Sequence, residues 1–567
     1  MGITRIVEGN IINTSTSMNL SANDGNYEFH AAGKNRWQGD ENGIIEGNYE
    51  PPSKENSLSN SINVRLNLFF DGTTNNKTNT EARNESSKNH ETYIKEGNKN
   101  DDSFENDYTN VARGFDAVDP NAENQVRVYI EGIGTEDLKG DSVKLGVALG
   151  TGPTGVTAKV NKGCRDAANR MKEKGYDSKD IDILFVNVYG FSRGAAAARH
   201  FIYVASKMPF YTKNSKVDKT KYKYTVFPED YSFQPLFKSD AVEVTLENTA
   251  FIDKYGYFGA CLLKKMMKIK EIRFNFVGIY DTVASLGPYH GDDVSELKLD
   301  SIKKANYVFH LASDDEYREN FDLSNIDSSG ISGLELTLPG VHSDIGGSYL
   351  NEVIETSVID NQECADTLDA KNTVKYYYEK KYDAFKKIVV EEGWYLEKQL
   401  TKEFFYEKDL DPFTSFIANQ HNYGLIGRRK LFNTYDKISL KLMTEKSKRF
   451  DVVYDAIILT GYEIKDSFVN SMYNQLLGYV NACINIRNLF VDEYNNNKSQ
   501  SNFDDLSKQY LSEIKREHYS QYVELEDLKT LRNQYLHWSA KDNLYGLEPI
   551  RTGALPQNER KREIHNG

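Results

Sequence analysis

One segment constrains this chain more than any other: Ile181-Asp-Ile-Leu-Phe-Val-Asn-Val-Tyr-Gly190-Phe-Ser192-Arg-Gly194-Ala-Ala-Ala-Ala. A run of β-branched and aromatic residues enters Gly-x-Ser-x-Gly, and alanines follow. This pattern predicts a strand, a sharp turn and a helix, with the glycines admitting a turn that side chains would block. Ser192 is then thrust out at the carboxyl edge of a sheet. The amide of Arg193, at the helix N-terminus, is a candidate oxyanion donor. The bland alternative is a tight turn with an idle serine.

Short apolar runs that end at Gly, Asp or Pro surround this segment and predict strands over 64–70, 126–130, 181–189, 272–280 and 334–338. Helical stretches are expected over 195–207 and 299–309. Alternating strand and helix implies an α/β fold with a mostly parallel sheet, whose ligands sit beyond the carboxyl ends of the strands. At 567 residues, two to four domains are expected. Residues 1–58 are a polar, Asn-, Gly- and Ser-rich appendage, closed by Pro51-Pro52. Residues 59–350 hold the sheet. Within them, 208–270 interrupts the alternation and is expected to form a cap across the active-site edge. Residues 351–567 read as mainly helical.

A serine nucleophile needs a base, and the base needs an orienting acid. Asp281 closes the run 272–280 and so falls on the same sheet edge as Ser192; a plain turn-forming Asp is the alternative. His342 follows the run 334–338 and precedes Gly346-Gly347. Ser, then Asp, then His is the chain order of α/β-hydrolases. His537 is the serious rival base. His200 lies eight residues into the elbow helix, roughly 12 Å down its axis, and His310, in an expected helical stretch, reads as structural. The turn after the first strand, Asp71-Gly72-Thr73, offers a second oxyanion donor at Gly72 or Thr73, with an Asx turn capped by Asp71 as the alternative.

Other chemistries are disfavoured. Lys and Arg number 70 against 84 Asp and Glu, a balance of 70 − 84 = −14, which speaks against a nucleic-acid partner. Gly150-Thr-Gly152-Pro-Thr-Gly155 fits G-x-G-x-x-G, but Pro153 sits in the turn and no strand or ribose-binding acid frames it. Neither a phosphate-binding G-x-x-x-x-G-K-[ST] nor H-E-x-x-H occurs, and the four cysteines lack C-x-x-C spacing. No cofactor and no metal are expected. The uncharged stretch 467–486 contains Asn470, Asn474, Gln475, Asn481 and Asn485, which favours a buried helix over a membrane span. No apolar signal-peptide core is found at the N-terminus, so export by a route without one is expected.

Four segments taken in order, Phe70-Asp71-Gly-Thr-Thr-Asn-Asn, Gly190-Phe-Ser-Arg-Gly-Ala, Gly278-Ile-Tyr-Asp281-Thr-Val-Ala-Ser-Leu-Gly and Pro339-Gly-Val-His342-Ser-Asp-Ile-Gly-Gly, resemble the first family of type VI secretion lipase effectors. The resemblance covers about 63–350. It implies a Ser–Asp–His phospholipase with Ser192, Asp281 and His342 as the triad. It also implies delivery into rival bacteria, docking on the secretion spike, an immunity protein made by the producer, and action in the periplasm or at the membrane of target cells. The competing expectations are an esterase or thioesterase for small soluble esters, and a non-catalytic component that kept the hydrolase fold. Lys213, Lys216, Lys219, Lys221 and Lys223, interleaved with Tyr211, Tyr222 and Tyr224, suggest a lipid-facing patch on 208–270.

Overall fold

The computed structural model describes residues 61–96, 101–142, 150–228, 240–285, 293–406, 421–496, 502–540 and 562–567. The appendage expected over 1–58 lies outside them.

The elements run β1 (Ile62–Phe70), β2 (Gln125–Ile130), α1 (Val156–Glu173), β3 (Asp180–Phe191), α2 (Arg193–Val204), β4 (Tyr211–Lys216), β5 (Tyr222–Val226), β6 (Val242–Leu246), α3 (Ala250–Lys264), β7 (Lys268–Tyr280), β8 (Val308–Ser313), β9 (Leu323–Ser324) and β10 (Gly333–Leu338). Six strands form one sheet in the order β10-β8-β7-β3-β1-β2. Every pairing in it is parallel, with Phe70 opposite Ile130 and Gly190, Phe191 opposite Tyr280, and Tyr280 opposite Leu311. All six carboxyl ends therefore share one edge.

Strand alternation feeds two cores, one on each face of the sheet. Leu68, Val188 and Val277 pack with Ala195–Ala198 and Phe201 of α2. Their neighbours Phe69, Tyr189 and Phe276 pack with Leu442 and Met443, from the region after the sheet. The alanines of α2 are what allow its close approach. Each is fully buried, and a Cβ on the buried Gly194 would lie 2.2 Å from the Asp71 carbonyl oxygen.

The helix expected over 299–309 is not formed. Leu299–Lys304 is a 3-10 turn, and β8 follows it. The run Val-Phe-His-Leu-Ala-Ser has β-branched and aromatic residues, and all six are buried between β7 and β10, so pairing on both sides overrides the local pattern.

The chain continues as α4 (His342–Gly346), β11 (Val353–Glu363), α5 (Leu368–Glu391), β12 (Leu400–Tyr406), β13 (His421–Leu431), α6 (Asp436–Lys448), α7 (Ser467–Asn496), α8 (Phe503–Ile514), α9 (Leu525–Gln534) and β14 (Ile564–His565). This region is helical, as expected, but β11-β13-β12 add an antiparallel sheet that was not expected. Their alternating polar residues, such as Thr-Lys-Glu in β12, resemble the charged helices around them. In α7, Val469, Met472, Tyr473, Leu476, Tyr479, Val480 and Cys483 form one buried stripe, the 3.6-residue period of a helix packed on one side. Among the described residues no helix is long and apolar enough to cross a membrane.

The insertion within 208–270 attaches by both of its described ends at the edge opposite Ser192. They leave at the C-terminal end of α2, about 18 Å below its start, and return at Lys268, which pairs with Asp180 at the amino end of β3. The middle of α3 stays at that edge, where a Cβ on Gly256 would meet the Val204 carbonyl oxygen at 2.0 Å. The parallel strand direction thus anchors both ends of the insertion at the edge opposite the one where the cap is expected.

Candidate active site

Ser192 occupies the turn between β3 and α2 at φ 58°, ψ −131°, a strained conformation for a residue with a side chain. The flanking glycines make the turn possible. A Cβ on Gly190 would meet the Gly194 carbonyl oxygen at 2.4 Å. The Ser192 amide donates to the Tyr280 carbonyl at 3.1 Å, which ties the turn to the end of β7. The next residue on β7 is Asp281, itself at φ 39°.

Asp281 is fully buried and held from several sides. Its Oδ1 accepts the Ser313 amide at 2.8 Å, and its Oδ2 accepts His342 Nδ1 at 2.5 Å. His342 opens α4, donates its amide to Glu316 Oε2 at 3.2 Å, and lies between the rings of Phe191 (4.6 Å) and Phe321 (5.0 Å). Because Asp281 only accepts, Nδ1 carries the proton and Nε2 remains a base. The Ser192 hydroxyl makes no hydrogen bond within the described residues, so the serine–histidine contact is open at rest.

The electrostatics suit proton transfer. Burial alone would push the Asp281 carboxyl up; the Arg562 guanidinium and the His342 hydrogen bond outweigh it and hold the group well below the usual carboxylate range. Burial lowers His342 below its ordinary value, and Asp281 only partly offsets this. The pair at neutral pH is thus an ionised acid and a neutral imidazole.

Beside Ser192 lies the turn after β1. Arg193 Nε donates to Thr73 Oγ1 at 2.8 Å, joining the elbow to that turn. The Gly72 amide donates to Asp71 Oδ1 at 2.8 Å, which removes Gly72 as an oxyanion donor. No acceptor within the described residues holds the Thr73 amide. Asp71 receives Thr109 Oγ1 at 2.6 Å and the Tyr129 hydroxyl at 2.5 Å, yet burial raises its pKa to about 6.

The rival histidines hold other posts. His200 Nδ1 faces the Leu297 carbonyl at 2.8 Å on the flank of α2. His310, on β8, donates to Glu335 Oε2 at 2.8 Å and accepts the Thr282 amide at 3.1 Å, which fixes the residue after Asp281. His537 forms a second buried His–Asp pair, with Asp344 Oδ1 at 2.7 Å, stacked on Tyr349 at 3.6 Å. Three residues around the Asp281–His342 pair were missed by sequence reasoning: Ser313, Glu316 and Arg562. No motif marks them. Among the described residues no group of three or more His, Cys, Asp or Glu is placed to hold a metal ion.

A parallel sheet carrying a strained Gly-x-Ser-x-Gly turn at its carboxyl edge, beside a bonded Asp–His pair, places the chain among the α/β-hydrolases. More narrowly, it belongs to the Tle1-like phospholipase effectors of the type VI secretion system (T6SS), whose catalytic domain matches residues 64–365. No curated protein matches the sequence. Among solved structures the chain is similar to the Tle1 effector bound to the VgrG spike from the type 6 secretion system, with TM-score 0.52 and 17% identity over 94% of this chain and 100% of that one. It also shares 18% identity with an uncharacterised protein from Pseudomonas aeruginosa, over 52% of this chain and 42% of that one, at TM-score 0.28.

Proposed function

We propose that the chain is an antibacterial phospholipase of the A type, in which Ser192 is the nucleophile, His342 the general base and Asp281 the acid that orients it. The observation that carries this reading is the Asp281–His342 hydrogen bond of 2.5 Å at the sheet edge where Ser192 stands at φ 58°. Ser192 Oγ attacks the ester carbonyl of a glycerophospholipid as His342 Nε2 takes its proton. The amides of Arg193 and Thr73 receive the oxyanion. His342 returns the proton to the departing glycerol oxygen, which leaves as lysophospholipid, and water then cleaves the acyl-serine by the same route.

The hydrolase unit is assigned to residues 59–350, with 351–567 as its helical companion. The Tle1 effector in the solved complex is bound to the VgrG spike. A spike protein is proposed as the carrier of this chain too, with an immunity protein in the producing cell and a target-cell membrane, reached through the periplasm, as the site of action. The test is product analysis on diacyl phospholipid vesicles. Wild type should release fatty acid and lysophospholipid, and Ser192→Ala should release neither. Hydrolysis confined to short soluble esters would favour the esterase reading.

A further inference from the structure

The acid of the site has a partner 281 residues further along the chain. Arg562 Nη1 donates to Asp281 Oδ1 at 2.6 Å, and Nη2 donates to Oδ2 at 2.9 Å, a two-pronged pair. The rest of the guanidinium is also committed: Nε donates to the Phe321 carbonyl at 2.6 Å, and Nη1 to Ser313 Oγ at 2.9 Å. Its side chain is 5% exposed and that of Asp281 is 0% exposed.

Arg562 does not arrive as a loose arm. The segment Arg562–Gly567 is zipped to 321–328. β14 pairs in parallel with β9, the Leu323 amide donates to the Glu563 carbonyl at 2.9 Å, and the Asn325 amide to that of His565 at 3.0 Å. Asn325 Nδ2 donates to Asn566 Oδ1 at 2.9 Å, and His565 Nε2 pairs with Asp322 Oδ2 at 3.1 Å. This segment lies far outside the matched catalytic domain, 64–365.

We infer that Arg562 is a positioning residue of the hydrolytic site, which clamps the Asp281 carboxylate in the plane that receives His342 Nδ1. The inference rests on the triad reading above. Without Arg562, Asp281 keeps among the described residues the Ser313 amide and His342, and the carboxylate can rotate. A misplacement of this kind lowers turnover without weakening substrate binding.

The clamp also acts through charge. His342 is faced by Asp281 from β7 and by Glu316 and Arg318 from the loop after β8, and it shares Asp281 Oδ2 with Arg562; on its own helix Asp344 is paired to His537. Glu316 and Arg318 form an ion pair at 2.8 Å and largely cancel. The cation of Arg562 opposes protonation of His342, so its loss raises the histidine's pKa. The acid limb of the pH–rate profile then moves to higher pH.

The experiment uses the full chain and p-nitrophenyl butyrate, with Arg562→Ala, Arg562→Lys and Ser192→Ala beside wild type, each checked by thermal melting. Arg562→Ala should lower kcat by roughly 10- to 100-fold with KM within about twofold, and shift the acid limb of kcat/KM upward by about one pH unit. Arg562→Lys, which keeps the cation without the fork, should restore the acid limb but only part of kcat. An Arg562→Ala protein with wild-type kcat and pH profile overturns the inference, and so does one with a lower melting temperature but an unmoved acid limb. A rise in activity overturns it too, because the segment would then be a plug. If Ser192→Ala keeps its activity, the triad reading itself fails. If Ser192→Ala is inactive while Arg562→Ala is normal, only the clamp fails.

Discussion

Among the described residues two buried His–Asp pairs stand out, His342–Asp281 and His537–Asp344, and replacing each histidine by alanine separates the base from the brace. His342→Ala removes the histidine bonded to Asp281. Yet it leaves that carboxylate with the Ser313 amide and both Arg562 prongs, so no charge is stranded. The stability cost is then that of one buried hydrogen bond and a small cavity, about 1–3 kcal/mol. Loss of a general base in a cooperating triad costs at least about 10³ in turnover, or about 4 kcal/mol of transition-state stabilisation. Activity should therefore collapse in a protein that still folds. His537→Ala has the opposite profile. Asp344 Oδ2 still accepts the Val341 amide at 3.0 Å, but the ring stacked on Tyr349 is gone. Melting should fall by a few degrees, and turnover should stay within about tenfold of wild type. The assay is hydrolysis of p-nitrophenyl butyrate and of phospholipid micelles, read with melting curves for both variants. Near-normal turnover in His342→Ala, together with a thousandfold loss in His537→Ala, would show that the base had been assigned to the wrong pair.

Other outcomes follow from the same geometry. Because burial holds His342 below its ordinary value near 6.5, and the neutral ring is the active form, kcat/KM should be flat at neutral pH. It should fall as pH drops through a midpoint under about 6.5; a midpoint above 7 contradicts this. Asp281→Asn should lower turnover by about 10³–10⁴ and, by leaving buried Arg562 without its counter-charge, destabilise the fold by about 3–5 kcal/mol. Urea titration measures the second effect. Gly194→Ala drives a Cβ to 2.2 Å from the Asp71 carbonyl oxygen, forces α2 away from β1, and should cost about 1–3 kcal/mol or more; an unchanged melting curve would refute it. Changing Lys213, Lys219 and Lys221 to Glu should leave phospholipid hydrolysis within about twofold, since 208–270 is anchored at the edge opposite Ser192. A large loss there would return the hairpin to the lipid surface.

What the sequence determined by itself was local or periodic. Ser192 was legible because the turn demands glycine on both sides, and glycine has few other reasons to recur at that spacing. Five of the six sheet strands were legible because strands buried on both faces read as apolar runs. Asp281 and His342 were legible as strand-end residues in hydrolase order, and parallel strands bring their ends to one edge. Tertiary structure decided the rest. β8 was read as helix because nothing local distinguishes Val308–Ser313 from an apolar helical turn; only its two sheet neighbours make it a strand. Gly72 lost its donor role to a hydrogen bond with Asp71, a side-chain orientation that spacing does not encode. The insertion attaches at the opposite edge because an interruption after a helix that runs down the sheet begins where that helix ends. Arg562 had no signal, since 281 residues separate it from Asp281, and pairing across such a distance depends on where β14 docks, which no periodicity records.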